Sequence, residues 1–119
     1  DSASGIYLST VLFVRLGVAD QVAGKSRKVR GPPSGEQVAD VVARGEAEIG
    51  FQQVSELLHV AGVTFVGAIP GELQQETFYA AALATAVRQP EAAQALIAFL
   101  SSAEAAPTIV KAGLAPARR

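Results

Sequence analysis

Residue types that usually carry out catalysis are sparse in this chain of 119 residues. The sequence has no cysteine, which removes thiolate nucleophiles, thiolate metal ligands and disulfides. Its one histidine, His59, follows two leucines, and this position favours a structural or solvated role. A serine–histidine–carboxylate triad would depend on His59, and no Gly-x-Ser-x-Gly motif marks a nucleophile. We therefore predict no enzymatic activity, no catalytic residues and no cofactor.

Three short charged patterns could in principle bind phosphate or metal ions. Gly-Lys-Ser at 24–26 is similar to the end of a phosphate-binding loop, but Ala19 stands where that motif requires glycine. Glu46 and Glu48 lie two residues apart, without a second cluster to complete a metal site. The basic run 25–30 has no interleaved aromatic residue. We predict solvated side chains at all three places and no metal site.

Composition and charge limit the remaining classes of function. Eleven acidic and ten basic residues give a formal net charge of −1, so nothing attracts the chain to nucleic acid or anionic membranes. Half of the residues are hydrophobic, which indicates a folded chain, and the length predicts one domain over residues 1–119. The chain lacks methionine and a recognisable signal peptide. We expect a processed chain or a piece of a longer protein.

Small residues at two predicted helix starts suggest an anion site. Ser4 and Gly5 precede an apolar segment, and Ser34 and Gly35 precede a second one. The start of a helix presents backbone N–H groups and about half a unit of positive charge, so it can bind an anion without a cationic side chain. Two such starts aimed at one point would bind a small oxyanion. Ordinary helix capping accounts for the same residues, so both interpretations stay open.

The elements that would position these starts alternate between helices and strands. Apolar spacing and capping residues predict helices over 6–16, 34–45, 90–100 and 102–113, and short helical turns at 18–23 and 54–58. Glycines at 17, 45 and 113 are predicted to end three of these helices. Strands are predicted over 47–52, 62–69 and 77–85. The pattern indicates an α/β architecture, with a small sheet flanked by helices.

Three parts of the sequence occur in an order and spacing typical of one known family. They are Ala-Ser-Gly-Ile-Tyr at 3–7, Val-Val-Ala-Arg-Gly-Glu-Ala-Glu-Ile-Gly-Phe at 41–51, and the region 92–113. Together they resemble the second, C-terminal half of a molybdate-type periplasmic solute-binding protein of ABC importers. The resemblance implies a type 2 periplasmic-binding-protein-like lobe in the periplasm. It also implies an ABC permease as partner and an oxyanion ligand such as molybdate, tungstate or a sulfate-like ion.

The resemblance also implies which residues bind the oxyanion. Family members hold it through backbone N–H groups at helix starts, and these match Ser4, Gly5, Ser34 and Gly35. Gln53 stands where well-known members have a tyrosine hydroxyl, and its amide can still donate a hydrogen bond. Because the resemblance covers only one of two lobes, we expect the chain to bind oxyanions weakly or not at all.

Two further expectations concern assembly and an alternative role. In the family, the apolar helices over 90–113 would pack on the other lobe, so here they would be exposed. We therefore predict a homodimer, including one formed by exchange of elements. The alternative to a transport role is a stand-alone interaction domain with the same fold.

Overall fold

The computed structural model describes residues 3–31, 33 and 35–116, and every regular element within them is helical. In chain order the elements are α1 (Ala3–Tyr7), a π-helical segment (Leu8–Leu12), α2 (Phe13–Arg15), α3 (Ala19–Ala23), α4 (Val38–Ala43), α5 (Val54–Leu57), a 3-10 turn (Gly71–Leu73), α6 (Pro90–Leu100) and α7 (Ala106–Lys111). The chain divides into two compact units, Asp1–Gln75 and Glu76–Arg119. None of the described helices is both long and apolar enough to cross a membrane.

The first helical segment runs without interruption from α1 to α2, but its middle is wound as a π-helix. Ser9 Oγ donates a hydrogen bond to the Gly5 carbonyl (2.9 Å), and Thr10 Oγ1 donates to the Ile6 carbonyl (2.8 Å). Hydroxyls bonded one turn back compete with the helical N–H groups for these carbonyls, which loosens the local winding. The predicted helix is confirmed, although it begins at Ala3, so that Ser4 lies inside its first turn.

Three helices end at glycines in the left-handed conformation, as predicted. Gly17, Gly45 and Gly113 have φ angles of 69°, 73° and 84°. After each glycine the next N–H donates to the carbonyl five residues back: Val18 to Phe13 (3.0 Å), Glu46 to Val41 (3.1 Å) and Leu114 to Ile109 (3.1 Å). This is the Schellman arrangement, in which the glycine lets the chain reverse and satisfies the last carbonyls of the helix.

The predicted α/β fold is wrong for the described residues. Segments 47–52, 62–69 and 77–85 contain no strand, and no sheet forms. An apolar, β-branched pattern suits a strand only where a partner supplies ladder hydrogen bonds. The second segment is also interrupted by left-handed glycines, Gly62 (φ 86°) and Gly67 (φ 150°). The sheet of a type 2 periplasmic-binding-protein-like lobe is therefore absent from the described part of the chain.

Two predicted helices begin later than their capping signals suggest. α4 begins at Val38 with Gln37 as its N-cap, and the Gln37 side chain forms no cap hydrogen bond. The sequence predicts a capping box formed by Ser34 and Gln37, with Gln37 as the third helical residue. Gln37 is instead the N-cap, and Ser34 lies outside the described residues. α7 begins at Ala106, and Ser102 Oγ accepts from the Ala105 N–H just before it (3.3 Å).

Buried apolar residues are few in both units. In the first unit Leu12, Ala39 and Val41 are at most 2% exposed, so α4 and the π-helical segment supply its core. In the second unit Ala105 is the buried residue among those described, at 4%. α6 is confirmed with Pro90 at its first position, where the missing N–H costs no hydrogen bond.

Candidate ligand-binding site

The first helix start predicted to bind an anion belongs to a helical segment that is hydrogen-bonded to residues 72 and 73, near the end of the first unit. Ser4 and Gly5 are half-buried in the first turn of α1. Tyr7 Oη donates a hydrogen bond to the Leu73 carbonyl, and Arg15 Nη1 donates to the Glu72 carbonyl (3.3 Å). These two side chains lie eight residues apart, about two helical turns, so they share one face of the segment. That face is therefore fastened to the 3-10 turn at both ends.

The second predicted start is a tight loop before α4. The Glu36 N–H donates to the Arg30 carbonyl (2.9 Å), which closes the loop. A Cβ atom placed on Gly35 would lie 1.7 Å from that carbonyl oxygen, so only glycine allows this approach. Gly35 is thus explained by the packing of two backbone segments. Ser34 lies outside the described residues.

The start of α4 is capped by a glutamine side chain from a later segment. The Val38 N–H donates to Gln52 Oε1 (3.0 Å), fourteen residues along the chain. Gln52 therefore does, within the protein, what an anion would do at this helix start. The next residue, Gln53, which the family resemblance places in the ligand site, is half-buried at the N-cap of α5. No pattern in the sequence marks Gln52 as a cap for α4, because the two positions are fourteen residues apart.

Segment 51–53 also contacts the first helical segment. The rings of Phe51 and Phe13 pack edge to face, with centroids 5.7 Å apart and an interplanar angle of 73°. Edge-to-face contact is a favourable geometry for aromatic rings. Phe13 is nine residues from Ser4, or about 13 Å along a helix. Gln53 thus directly follows Gln52, the residue that contacts α4. The contact between Phe51 and Phe13, in contrast, lies far from Ser4.

Four charged side chains form an ion-pair cluster beside the end of α4. Arg27 contacts Glu36 (2.8 Å) and Glu46 (2.9 Å), and Arg44 contacts the same two carboxylates (2.5 and 2.6 Å). The side chains are 35–54% exposed. Glu46 and Arg27 are solvent-exposed, in line with the prediction, but each also forms ion pairs that the sequence did not predict. We call Arg27, Glu36, Arg44 and Glu46 the charged cluster.

Backbone geometry explains how the charged cluster is assembled. Gly45 reverses the chain, and the bond from the Glu46 N–H to the Val41 carbonyl (3.1 Å) fixes Glu46 beside Arg44. Hydrogen bonds from Arg44 and Arg27 lower the pKa of Glu46 from 4.5 to about 2. Hydrogen bonds with Glu46 and Glu36 raise the pKa of Arg44. Each guanidinium contacts the same two carboxylates. Since Arg27 lies in a loop and Arg44 at the end of α4, the charged cluster joins that loop to the end of α4.

Metal binding finds no support in the described part of the chain. Within residues 3–31, 33 and 35–116, no group of three or more acidic or histidine side chains is close enough to hold a metal ion. Glu46, one of the two acidic residues considered from sequence, is occupied by Arg27 and Arg44.

Comparison with known proteins identifies a family. A family model described as bacterial extracellular solute-binding protein matches residues 1–115. A protein from Pseudomonas sp. named aconitate isomerase is 46% identical over 116 residues, which is 98% of this chain and 43% of that protein. The chain therefore spans less than half the length of the curated relative it matches. No solved structure matches the chain significantly.

The relative corrects one sequence-based prediction. We predicted that the chain is not an enzyme, and a protein 46% identical to nearly all of it is named for an enzymatic activity. The motifs that the sequence lacks, for a nucleophile and for a metal site, mark hydrolysis and metal-assisted chemistry. Isomerisation can be catalysed by one well-placed acid or base, and such a group leaves no motif in a single sequence.

Proposed function

The chain belongs to the bacterial extracellular solute-binding protein family, and from this premise we propose that it is part of a protein that binds and isomerises aconitate. The observation that carries the proposal is the 46% identity, over 98% of the chain, to the protein named aconitate isomerase. The family's description as extracellular supports a location outside the cytoplasm. The periplasm is the compartment that we propose.

The proposed ligand fits the kind of site predicted from sequence. Aconitate carries three carboxylates, and a carboxylate is an anion that helix starts bind through backbone N–H groups. We therefore keep Ser4, Gly5, Ser34, Gly35 and Gln53 as proposed ligand-binding residues. The position of Ser4 and Gly5 in the first turn of α1 supports this proposal. The bond between Gln52 and Val38 weighs against an anion at the start of α4, because it occupies that N–H.

Isomerisation of aconitate needs a base, and one candidate can be set aside. Removing a proton from the CH₂ group leaves an electron pair delocalised over three carbons. Returning a proton to the former vinyl carbon moves the double bond, and the new double bond can be cis or trans. The base must bind a proton near neutral pH to do this. With its pKa held at about 2 by Arg44 and Arg27, Glu46 is a poor base, so we assign it no part in this step.

A second candidate is the substrate-binding component of an ABC importer for molybdate, tungstate or a sulfate-like ion. The matched family supports solute binding in general. The order of the stretches at 3–7, 41–51 and 92–113 supports the finer proposal that the chain corresponds to the C-terminal half of a molybdate-type protein, with an ABC permease as partner. Both candidates predict an anion at the same helix start.

Nuclear magnetic resonance titration of the 119-residue chain separates these candidates and detects weak binding. We expect cis- or trans-aconitate to shift the amide resonances of Ser4 and Gly5, while molybdate at equal ionic strength leaves them unchanged. Shifts caused by molybdate or tungstate and not by aconitate would overturn the first candidate in favour of the second. If no anion shifts any resonance, this chain alone does not form the site, and neither candidate gains support over the stand-alone interaction domain.

We also propose that the chain forms a homodimer. Exposed apolar side chains in the second unit support it: Leu96, Phe99 and Leu100 of α6 are 48–58% exposed, and Val110 of α7 is 59% exposed. Such exposed apolar residues on two consecutive helices can support association. The molecular mass in solution, measured by light scattering over a range of concentrations, tests this proposal independently of any ligand.

A further inference from the structure

Residues 27–31 lie between α3 and the loop before α4 and belong to no helix or strand. We call them the connecting segment. They are exposed except for Val29, which is half-buried. The Glu36 N–H donates a backbone hydrogen bond to the Arg30 carbonyl at one end of the segment (2.9 Å). A segment that buries so little surface depends on side-chain contacts for its position. The contacts of Arg27 tie it to the end of α4.

The charged cluster is a closed ring of four side chains. Arg27 donates through Nη2 to Glu36 Oε1 (2.8 Å) and through Nη1 to Glu46 Oε2 (2.9 Å). Arg44 donates through Nη2 to Glu36 Oε2 (2.5 Å) and through Nε to Glu46 Oε1 (2.6 Å). Each carboxylate oxygen thus accepts from one guanidinium, and positive and negative groups alternate around the ring. A network of this kind is a stronger tie than an isolated surface ion pair.

The two arginines of the ring differ in what holds them near the carboxylates. Arg44 lies eight residues after Glu36 and two before Glu46, so α4 and the turn at Gly45 already place it beside both. Arg27 lies nine and nineteen residues before the same carboxylates, in the connecting segment. The contacts of Arg27 are therefore the ones that attach this segment to α4.

Separation of Arg27 from the ring leaves no buried charge. The four side chains are 35–54% exposed, so Glu36 and Glu46 would keep Arg44 and water as partners. Breaking a buried ion pair is costly because it leaves a charge without solvent, and an exposed pair does not carry that cost. The ring can therefore open at Arg27 and close again without disturbing the core.

We propose that the charged cluster is a reversible ionic latch. Arg27, paired with Glu36 and Glu46, holds residues 27–31 at the end of α4, and screening of these pairs by salt releases the segment. Salt is the expected signal because exposed charges interact over about 10 Å at 0.1 M ionic strength and about 3 Å at 1 M. Glu36 reports the state of the latch, since its carboxylate accepts from Arg27 and its N–H donates to the Arg30 carbonyl.

Arg27→Gln tests the latch, with Arg30→Gln as the matched control. Both substitutions remove one positive charge from the connecting segment, but Arg30 forms no ion pair with the residues that the structure describes. We expect Arg27→Gln to lower the heteronuclear NOE of amides 27–31 and to speed the exchange of the Glu36 amide proton with water at least about threefold. Arg30→Gln should change neither. Equal results for the two variants would overturn the proposal.

A salt titration tests the ionic nature of the latch without any substitution. Between about 0.1 M and about 1 M sodium chloride, the unmodified chain should gain the mobility of Arg27→Gln in residues 27–31. Arg27→Gln itself should respond little, because its segment is already released. The proposal fails if salt leaves the unmodified chain unchanged, or if both chains respond to salt equally.

The amide resonances of Ala39 and Val41, which are buried in α4, show whether the core is retained. We expect them to stay in place in both variants and at both salt concentrations. If Arg27→Gln displaces them, the charged cluster is part of the folded core and not a reversible latch. Neither measurement requires a ligand, so the result is independent of the proposed function.

Discussion

The two compact units differ in what holds their elements together. In the first unit, Tyr7 and Arg15 bond to carbonyls 66 and 57 residues away. In the second unit, the side-chain hydrogen bonds of Ser101 and Ser102 reach only three or four residues along the chain. Among the described residues, the first unit also contains three of the four buried apolar ones. Tertiary contacts thus hold the first unit, whereas the second consists of helices with mainly local bonds.

This difference indicates which of the two units depends on a partner surface for its stability. Helices of 11 and 6 residues, such as α6 and α7, are marginal in water unless an apolar face is covered. The second unit covers very little of its apolar surface, and it also contains the exposed segment 77–85. A partner surface would stabilise the second unit far more than the first.

The largest difference in the free energy of unfolding is expected when one valine in each unit is replaced by alanine. Val41→Ala removes two methyl groups from a side chain that is 1% exposed and should lower the free energy of unfolding by about 2 kcal/mol. Val110→Ala, at a helical position that is 59% exposed, should change it by less than about 0.5 kcal/mol. Urea denaturation measures both. Equal losses would mean that the two units do not differ in packing.

A smaller effect is expected within the first unit from two glycines. Gly45→Ala forces a side chain into the left-handed conformation (φ 73°) and should destabilise the protein by about 1 kcal/mol. Gly24→Ala has open space and a φ of −73°, so it should be neutral or stabilise by about 0.5 kcal/mol. Thermal unfolding of the two variants compares them directly. Similar melting temperatures for the two variants would show that the end of α4 does not depend on glycine at position 45.

The smallest effect concerns acid stability through the charged cluster. The pKa of Glu46 is about 2 when folded and near 4.5 when unfolded, so its contribution is fully present above about pH 4.5. That contribution is lost as the pH falls from about 4.5 to about 2. In Arg44→Gln, carbon-detected titration should show the pKa of Glu46 rising toward 4.5. An unchanged pKa in this variant would mean that Arg27 alone holds the carboxylate, and added salt should weaken either pairing.

Helix ends were well predicted because their causes lie within a few residues. Gly17, Gly45 and Gly113 end helices since glycine alone adopts positive φ without a steric cost. Pro90 begins α6 for an equally local reason. By contrast, the helix before Gly45 begins at Val38, because a side chain from residue 52 caps it there. A capping residue this far along the chain gives no signal in the sequence near the start of the helix.

The candidate site was predicted in its residue types more than in its geometry. Gly35 was selected as an amide donor, and the structure shows that it permits the close approach of the Arg30 carbonyl. Gln53 stays a predicted ligand-binding residue, and the cap that its neighbour Gln52 forms on α4 was not predicted. The charged cluster was missed, because Arg27 and Glu46 are nineteen residues apart and only folding brings them together.

By itself, the sequence determined where helices end, which segments are apolar, and the likeness to solute-binding proteins. Only the tertiary structure decided that the apolar segments 47–52, 62–69 and 77–85 form no strands among the described residues, and that Glu46 is paired with arginines. The physical reason is the range of the interactions. A helix satisfies its own backbone within four residues, whereas a strand or an ion pair depends on a partner that the local sequence does not name.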